Sequence, residues 1–288
     1  MIEREPTPRV LVIAGSDSGG GAGIQADIKT ITMLGGHAMT AVTALTAQNT
    51  LGVQGVHPVP AEFVVQQMRS VLDDIGADAV KIGMIGSAET AHAVADVLER
   101  LDVPVVFDPV MVATSGSVLA DAETIGAFER LMRIASVVTP NLPELEVLWG
   151  QAARYEHEGE RGAVELASRY GCAILAKGGH RAPADTAQEL DLGTGQVGHR
   201  LISDCLAMPN GETIYWTHDM VDTSHTHGTG CTLASAVAVG LAAGTPLDHA
   251  VGRAEMFVQA VLRHAPGLGA GHGPMGHALG TVPFDRLR

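Results

Sequence analysis

The chain has 288 residues, 46% hydrophobic and only 3% aromatic, enough for a sizeable core built from small side chains. A formal charge of −14, with no cluster of Lys and Arg, excludes nucleic-acid binding through a basic face. No run reaches the roughly 18 uncharged apolar residues of a membrane span, and the opening MIEREPTPRV lacks the apolar core of a signal peptide. A cytoplasmic protein without membrane partners is expected. Its three cysteines, Cys172, Cys205 and Cys231, form neither a disulfide framework nor a Cys-x-x-Cys zinc motif.

Short β-rich runs alternate with amphipathic stretches along the chain. Residues 9–15 (RVLVIAG) read as a buried strand and 23–35 as a helix, joined by the loop GSDSGGGAG. A strand with its following loop is expected over 38–49, a helix over 61–76, and a strand and turn over 78–86. A helix capped at Ser87 follows over 87–101. Next come a strand (103–110), a helix (123–132), a strand ending in a Pro-Asn turn (135–141) and a short helix (142–150). A helix (158–171) and a strand (172–179) complete the series. This alternation predicts α/β architecture: a mostly parallel central sheet with helices on both faces, in one domain spanning 1–288. The polar, Gly-rich segment 181–202 breaks the pattern and reads as a surface excursion. A hairpin around Pro-Asn-Gly (204–218), two helices near 231–243 and 247–264, and a loop-like tail complete the chain.

Several motifs sit where such a sheet places ligands, outside the carboxyl ends of its strands. The loop at 15–23 fits neither dinucleotide nor P-loop spacing, because Ile24 stands where a third glycine is needed and Ile28 precedes Lys29. It is either a tight turn or a ligand loop. In GTGC (228–231), Gly228, Thr229 and Gly230 open a helix whose N–H groups would form an anion nest. Cys231 would lie in the first turn, where a thiol's pKa falls and a thiolate could take a proton from a substrate hydroxyl. A small buried cysteine is the plain alternative. His225 and His227 with Cys231 supply too few ligands for zinc, and no histidine is assigned a role. In NLPE, Asn141 and Glu144 read as a helix cap or as a Mg²⁺-side carboxylate. Asp108 and Lys177 end buried strands, where a charge needs a partner or a task.

Taken together, IAGSDSGGGAGIQADIKT, TALTAQNT, VKIGMIGS, VVFDPVMVATSGS, VVTPNLPELEVL, AKGGH and HGTGCTLASAVAVGLA resemble the ribokinase-like kinases. Within these they resemble the hydroxymethylpyrimidine/phosphomethylpyrimidine kinases of thiamine biosynthesis, and GLGAGHGP near the end fits too. The resemblance implies a three-layer ribokinase-like sandwich and Mg²⁺-dependent phosphoryl transfer from ATP. The acceptors would be 4-amino-5-hydroxymethyl-2-methylpyrimidine and then its monophosphate. It places Gly15, Asp27, Gln48, Met84 and Val110 in the pyrimidine pocket, with Asp27 and Gln48 on the aminopyrimidine edge. It assigns Gly228, Thr229 and Gly230 to the anion hole and Cys231 to the position of the acidic base of sugar kinases. Asp108 and Glu144 fall on the metal side; Lys177, Thr139 and Asn141 fall on ATP. It also implies a homodimer. A pyridoxal kinase is the nearest rival, a sugar kinase is less favoured because Cys231 replaces the acid, and a non-catalytic regulator is a third reading. The segment 181–202 is longer than the family pattern and is expected to be an inert loop rather than a flap over ATP.

Overall fold

The computed structural model describes residues 6–113, 116–153, 156–178 and 200–279. Their backbone is organised by a nine-stranded sheet. Its centre is β1 (Arg9–Asp17), flanked in parallel by β2 (His37–Asn49) on one side and β4 (Ala79–Ile82) on the other. β3 (Gly52–Pro58) extends the β2 side antiparallel, and β5 (Val105–Phe107), β6 (Val137–Val138) and β7 (Ala173–Ala176) extend the β4 side in parallel. The hairpin β8 (Leu201–Ala207) and β9 (Thr213–Asp219) closes that edge antiparallel. The strand order turns back on itself at β1, and that reversal opens a crevice at the strand ends.

Side chains on β1 alternate between two cores, as a pleated strand requires. Leu11 and Ile13 face one core together with α2 (Ala61–Leu72), α3 (Ala88–Leu98), α4 (Ala122–Ile134), α5 (Leu142–Trp149) and α6 (Glu156–Tyr170). Val10, Val12 and Ala14 face the other with α1 (Gly23–Met33), α7 (Thr229–Ala242) and α8 (Leu247–Arg263). The result is the three-layer α/β sandwich expected from the alternating pattern. α7 is apolar all round and buried continuously over Thr232–Gly240, the signature of a helix enclosed by neighbours rather than one lying on a surface. Gly240 lets α8 come close, since a Cβ there would lie 2.7 Å from that of Ala250.

Three expectations change. β3 was not read from the sequence: none of its seven residues, GVQGVHP, carries a buried side chain to mark a face. The surface excursion ends before Leu201, because Leu201 and Ile202 already pair in β8; 181–199 lies outside the described residues. The tail over 265–279 has loop backbone, yet it is not peripheral: Met275 and His277 are buried, and Pro274 bridges to His227.

Candidate active site

The carboxyl ends of five strands open into one cavity of about 650 Å³. Gly15 arrives from β1, Met84 follows β4, Asp108 follows β5, Asn141 follows β6 and Lys177 follows β7. The start of α7, Gly228 to Cys231, faces them across the crevice.

The two glycine loops are fastened to each other. Asp17 gathers the first, accepting from the N–H groups of Gly19 (2.8 Å), Gly21 and Ala22 (both 2.9 Å). Its Oδ2 also meets His227 Nε2 at 2.9 Å, and Gln48 Nε2 lies 3.2 Å from the same ring nitrogen. Burial opposes charge on Asp17, but His227 and the loop N–H groups outweigh it and hold its pKa below the usual value. Gly228 has φ +88°, and a Cβ there would lie 2.0 Å from the Gly21 carbonyl oxygen. The first loop is therefore both an Asp-centred turn and a wall of the cavity.

Cys231 sits in the first turn of α7, with the Gly23 N–H directed at its sulfur. Beneath it lies an ion pair without solvent contact: Lys81 Nζ donates to both oxygens of Asp27, at 3.0 and 3.1 Å, and Ser235 donates to Oδ1 at 2.7 Å. Burial opposes the Lys81 charge, but Asp27, then Cys231 and Asp108, outweigh it and raise its pKa. The thiolate expected for Cys231 does not form readily. Burial pushes its pKa up to about 11, against a smaller opposing pull from Lys81. At neutral pH the side chain is a thiol.

Across from it, Lys177 Nζ contacts Asp108 Oδ1 at 3.0 Å, and Thr139 donates to the same oxygen at 3.1 Å. A Cβ on Gly230 would come within 3.2 Å of both Asp108 Oδ2 and Lys177 Nζ, so the glycine seats α7 directly on this pair. Asn141 and Glu144 form a full capping box on α5, with bonds of 2.9 and 2.8 Å. The plain cap reading is thus realised, and Glu144 still lines the cavity. Burial raises its pKa to about 7, Lys177 opposing and Asp108 adding to the rise.

Gly15, Gln48, Met84, Val110, Asp108, Asn141, Glu144, Lys177 and Gly228–Cys231 converge on the cavity. Two expected residues do not. Asp27 is fully buried, its oxygens engaged by Lys81 and Ser235, so it cannot reach a pyrimidine edge. Thr139 is also fully buried and supports Asp108 from below. Sequence reasoning missed Asp17, Lys81 and His227. The signals were present: Lys81 is a charge inside the apolar strand DAVKIGMIG, and His227 directly precedes GTGC. It also missed Asp204, His218 and Glu255, which line the same cavity as Ile202, Val258 and Leu262. Burial and the neighbouring Asp204 carboxylate push Glu255 up to about 9.

Comparisons with known proteins bear on this geometry. Among solved structures, pyridoxal kinase from Staphylococcus aureus in complex with ADP superposes with a TM-score of 0.81 at 31% identity, covering 95% of this chain and 94% of that one. Phosphomethylpyrimidine kinase from Clostridium difficile gives 0.72 at 33% identity, covering 88% and 99%. The fold is ribokinase-like. Among curated proteins, the chain is 46% identical to the thiamine biosynthesis bifunctional protein ThiED of Geobacter sulfurreducens, over 96% of its own length but only 54% of that relative's. It is 44% identical to the hydroxymethylpyrimidine/phosphomethylpyrimidine kinase of Streptomyces coelicolor, over 95% of this chain and 96% of that one. Among the described residues, no helix is long and apolar enough to cross a membrane. The sequence model of phosphomethylpyrimidine kinase matches residues 17–276, a stretch that includes Asp17, Asp108, Glu144, Lys177 and the GTGC turn, and the chain belongs to that family.

Proposed function

We propose that this chain transfers the terminal phosphoryl group of ATP to the hydroxymethyl oxygen of 4-amino-5-hydroxymethyl-2-methylpyrimidine, and then to the phosphate of that product. The observation that carries the reading is the position of the α7 N-terminus. It stands between a small half-apolar pocket (Gly15, Met84, Val110, Gln48) and the Asp108–Lys177 pair. An acceptor ring in the first and a triphosphate along the second would meet at Gly228–Cys231.

In this reading Met84 and Val110 sandwich the ring, and the Gln48 amide bonds its polar edge. The N–H groups in the first turn of α7 have no intrahelical acceptor and face the charge on the transferring phosphoryl group. Lys177 carries the phosphates; Asp108 and Glu144 keep its pKa raised against burial. Asp108 and Glu144 suit Mg²⁺ as hard oxygen donors. Lys177 and Thr139 both engage Asp108 Oδ1, and Oδ2 points toward Gly230, while Glu144 accepts from the Asn141 N–H. Bound there with ATP, Mg²⁺ would supply charge neutralisation to the phosphates. Cys231, next to the acceptor hydroxyl, takes its proton as the new P–O bond forms. Phosphoryl transfer has a loose transition state in which that proton leaves late, so a weakly acidic thiol is compatible with the role.

A second reading is B6 phosphorylation, supported by the likeness to pyridoxal kinases at TM-scores of 0.79 to 0.81. The purified chain is incubated with Mg-ATP and, separately, hydroxymethylpyrimidine, its monophosphate and pyridoxal, with products followed by mass. The mono- and diphosphate of the pyrimidine are expected. Phosphate on pyridoxal alone would move the assignment to B6 salvage, and no product on any acceptor would leave the regulator reading. The homodimer implied by family likeness is checked by light scattering, with twice 29.8 kDa expected.

A further inference from the structure

We propose that Asp204, His218 and Glu255, in the cavity wall formed by the β8–β9 hairpin and α8, form a binding site for a first-row divalent transition-metal ion. The register of the β8–β9 hairpin creates half of it. Ile202 pairs with His218 and Asp204 with Trp216, so Asp204 and His218 are diagonal neighbours on one face. α8 brings Glu255 onto that face, with Val258, Gln259 and Leu262 continuing along the cavity wall from the same helix. One donor atom from each of the three residues lies within 4.8 Å of the others. That spread is close to what ligands about 2.0–2.2 Å from a common ion require.

A second observation points to a ligand. Glu255 is 5% exposed, and its Oε1 is buried without a hydrogen-bond partner; His218 Nδ1 is buried without one as well. Asp204, also 5% exposed, accepts from the Gly178 N–H through Oδ1. Lys177 is the nearby cation, but its ammonium contacts Asp108. Asp204 and Glu255 are adjacent buried carboxyl groups that must share either a proton or a cation, and the unused His218 nitrogen beside them is a donor that a cation would use and a shared proton would not. One nitrogen and two carboxylate oxygens suit Mn²⁺ or Zn²⁺ better than a soft ion that prefers thiolates. The cavity side leaves further coordination positions open to solvent or to a second ligand. The site is built entirely from this chain and does not depend on the kinase reading.

The test uses the full chain, stripped with chelator and free of nucleotide. Mn²⁺ alone is titrated and followed by electron paramagnetic resonance of the free ion, and Zn²⁺ alone by calorimetry. One ion per chain is expected. His218→Ala and Glu255→Gln should each weaken it at least about tenfold, while Glu144→Gln, which is none of the three donors, leaves it unchanged. Nitrogen coupling in the echo-modulated spectrum of Mn²⁺-loaded wild-type protein is expected from the imidazole, and this readout needs no variant to fold. Absence of binding, absence of nitrogen coupling, or loss of binding in Glu144→Gln instead of the two site variants would overturn the proposal.

Discussion

Cys231 is where residue chemistry and the proposed reaction meet most directly. Its pKa of about 11 leaves it a thiol at neutral pH, with a thiolate fraction that grows as pH rises. The two proposed acceptors differ in what they ask of it. A hydroxymethyl group must lose a proton; a phosphate monoester is already anionic near neutral pH. Cys231→Ala should therefore slow the first transfer by about 10²–10⁴ and the second far less. For the first transfer, log kcat of the wild-type protein should climb between pH 7 and 10 and stay flat in the variant. Single-turnover rates on each acceptor across that range decide it, and equal losses on both acceptors would remove Cys231 as the base. Asp27 calls for the opposite kind of prediction. Family likeness puts it on the substrate, but its carboxylate is spent on Lys81 in a water-free pair. Asp27→Ala leaves that ammonium buried alone and should cost about 3–5 kcal/mol in denaturant unfolding. A raised acceptor KM at unchanged stability would restore it to the pocket. Nothing local in GIQADIKT distinguishes these roles, since the partner of this helical residue, Lys81, lies on β4 far along the chain.

At the scale of elements, most of the alternation was legible because the strands are buried on both faces and the helices carry an apolar stripe. The cores of β1, β5 and β7 read as apolar runs and β4 as one interrupted only by Lys81, and Ser87 was recognised as the cap of α3, where it accepts the Thr90 N–H at 3.1 Å. β3 was illegible for the complementary reason: its residues are half-buried or exposed, so no alternation marks it. The glycines of the two loops were legible as special but not as a pair. Gly228 meets two demands together, a left-handed φ of +88° and contact with the Gly21 carbonyl. Gly228→Ala violates both. It should destabilise the fold by more than the ~1 kcal/mol that a positive φ alone sets, and it should detach the Asp17 loop from α7. Faster amide exchange at Gly19, Gly21 and Ala22, the donors to Asp17, is the local readout. Unchanged exchange at those three positions would mean that the loops are not coupled through Gly228.

At the scale of the molecule, the C-terminal segment ties the cavity to overall stability, and sequence alone gave it no such role. His277 is 5% exposed, its Nε2 lies 2.9 Å from Thr232 Oγ1 in α7, and its Nδ1 has no partner. Protonation would place an unpaired positive charge in that position. Burial, reinforced by Lys29, lowers its pKa from 6.5 to about 4. The unfolded chain therefore takes up a proton near pH 6.5 that the folded chain refuses until about pH 4. The sign follows: the contribution is fully present above pH 6.5 and drains away as pH falls to about 4, amounting to roughly 3 kcal/mol at most. His277→Gln keeps a side chain able to bond Thr232 but cannot titrate. Its unfolding free energy should start below that of the wild-type protein at pH 7.5 and fall less steeply between pH 6.5 and 4, so that the two curves converge. Parallel curves over that interval would mean that His277 is protonated in the folded chain. Because Thr232 follows Cys231 directly, the start of α7 should share this dependence: in nucleotide-free protein, the protection of the Gly230 and Cys231 amides should fall more between pH 7.5 and 5 than it does in the variant.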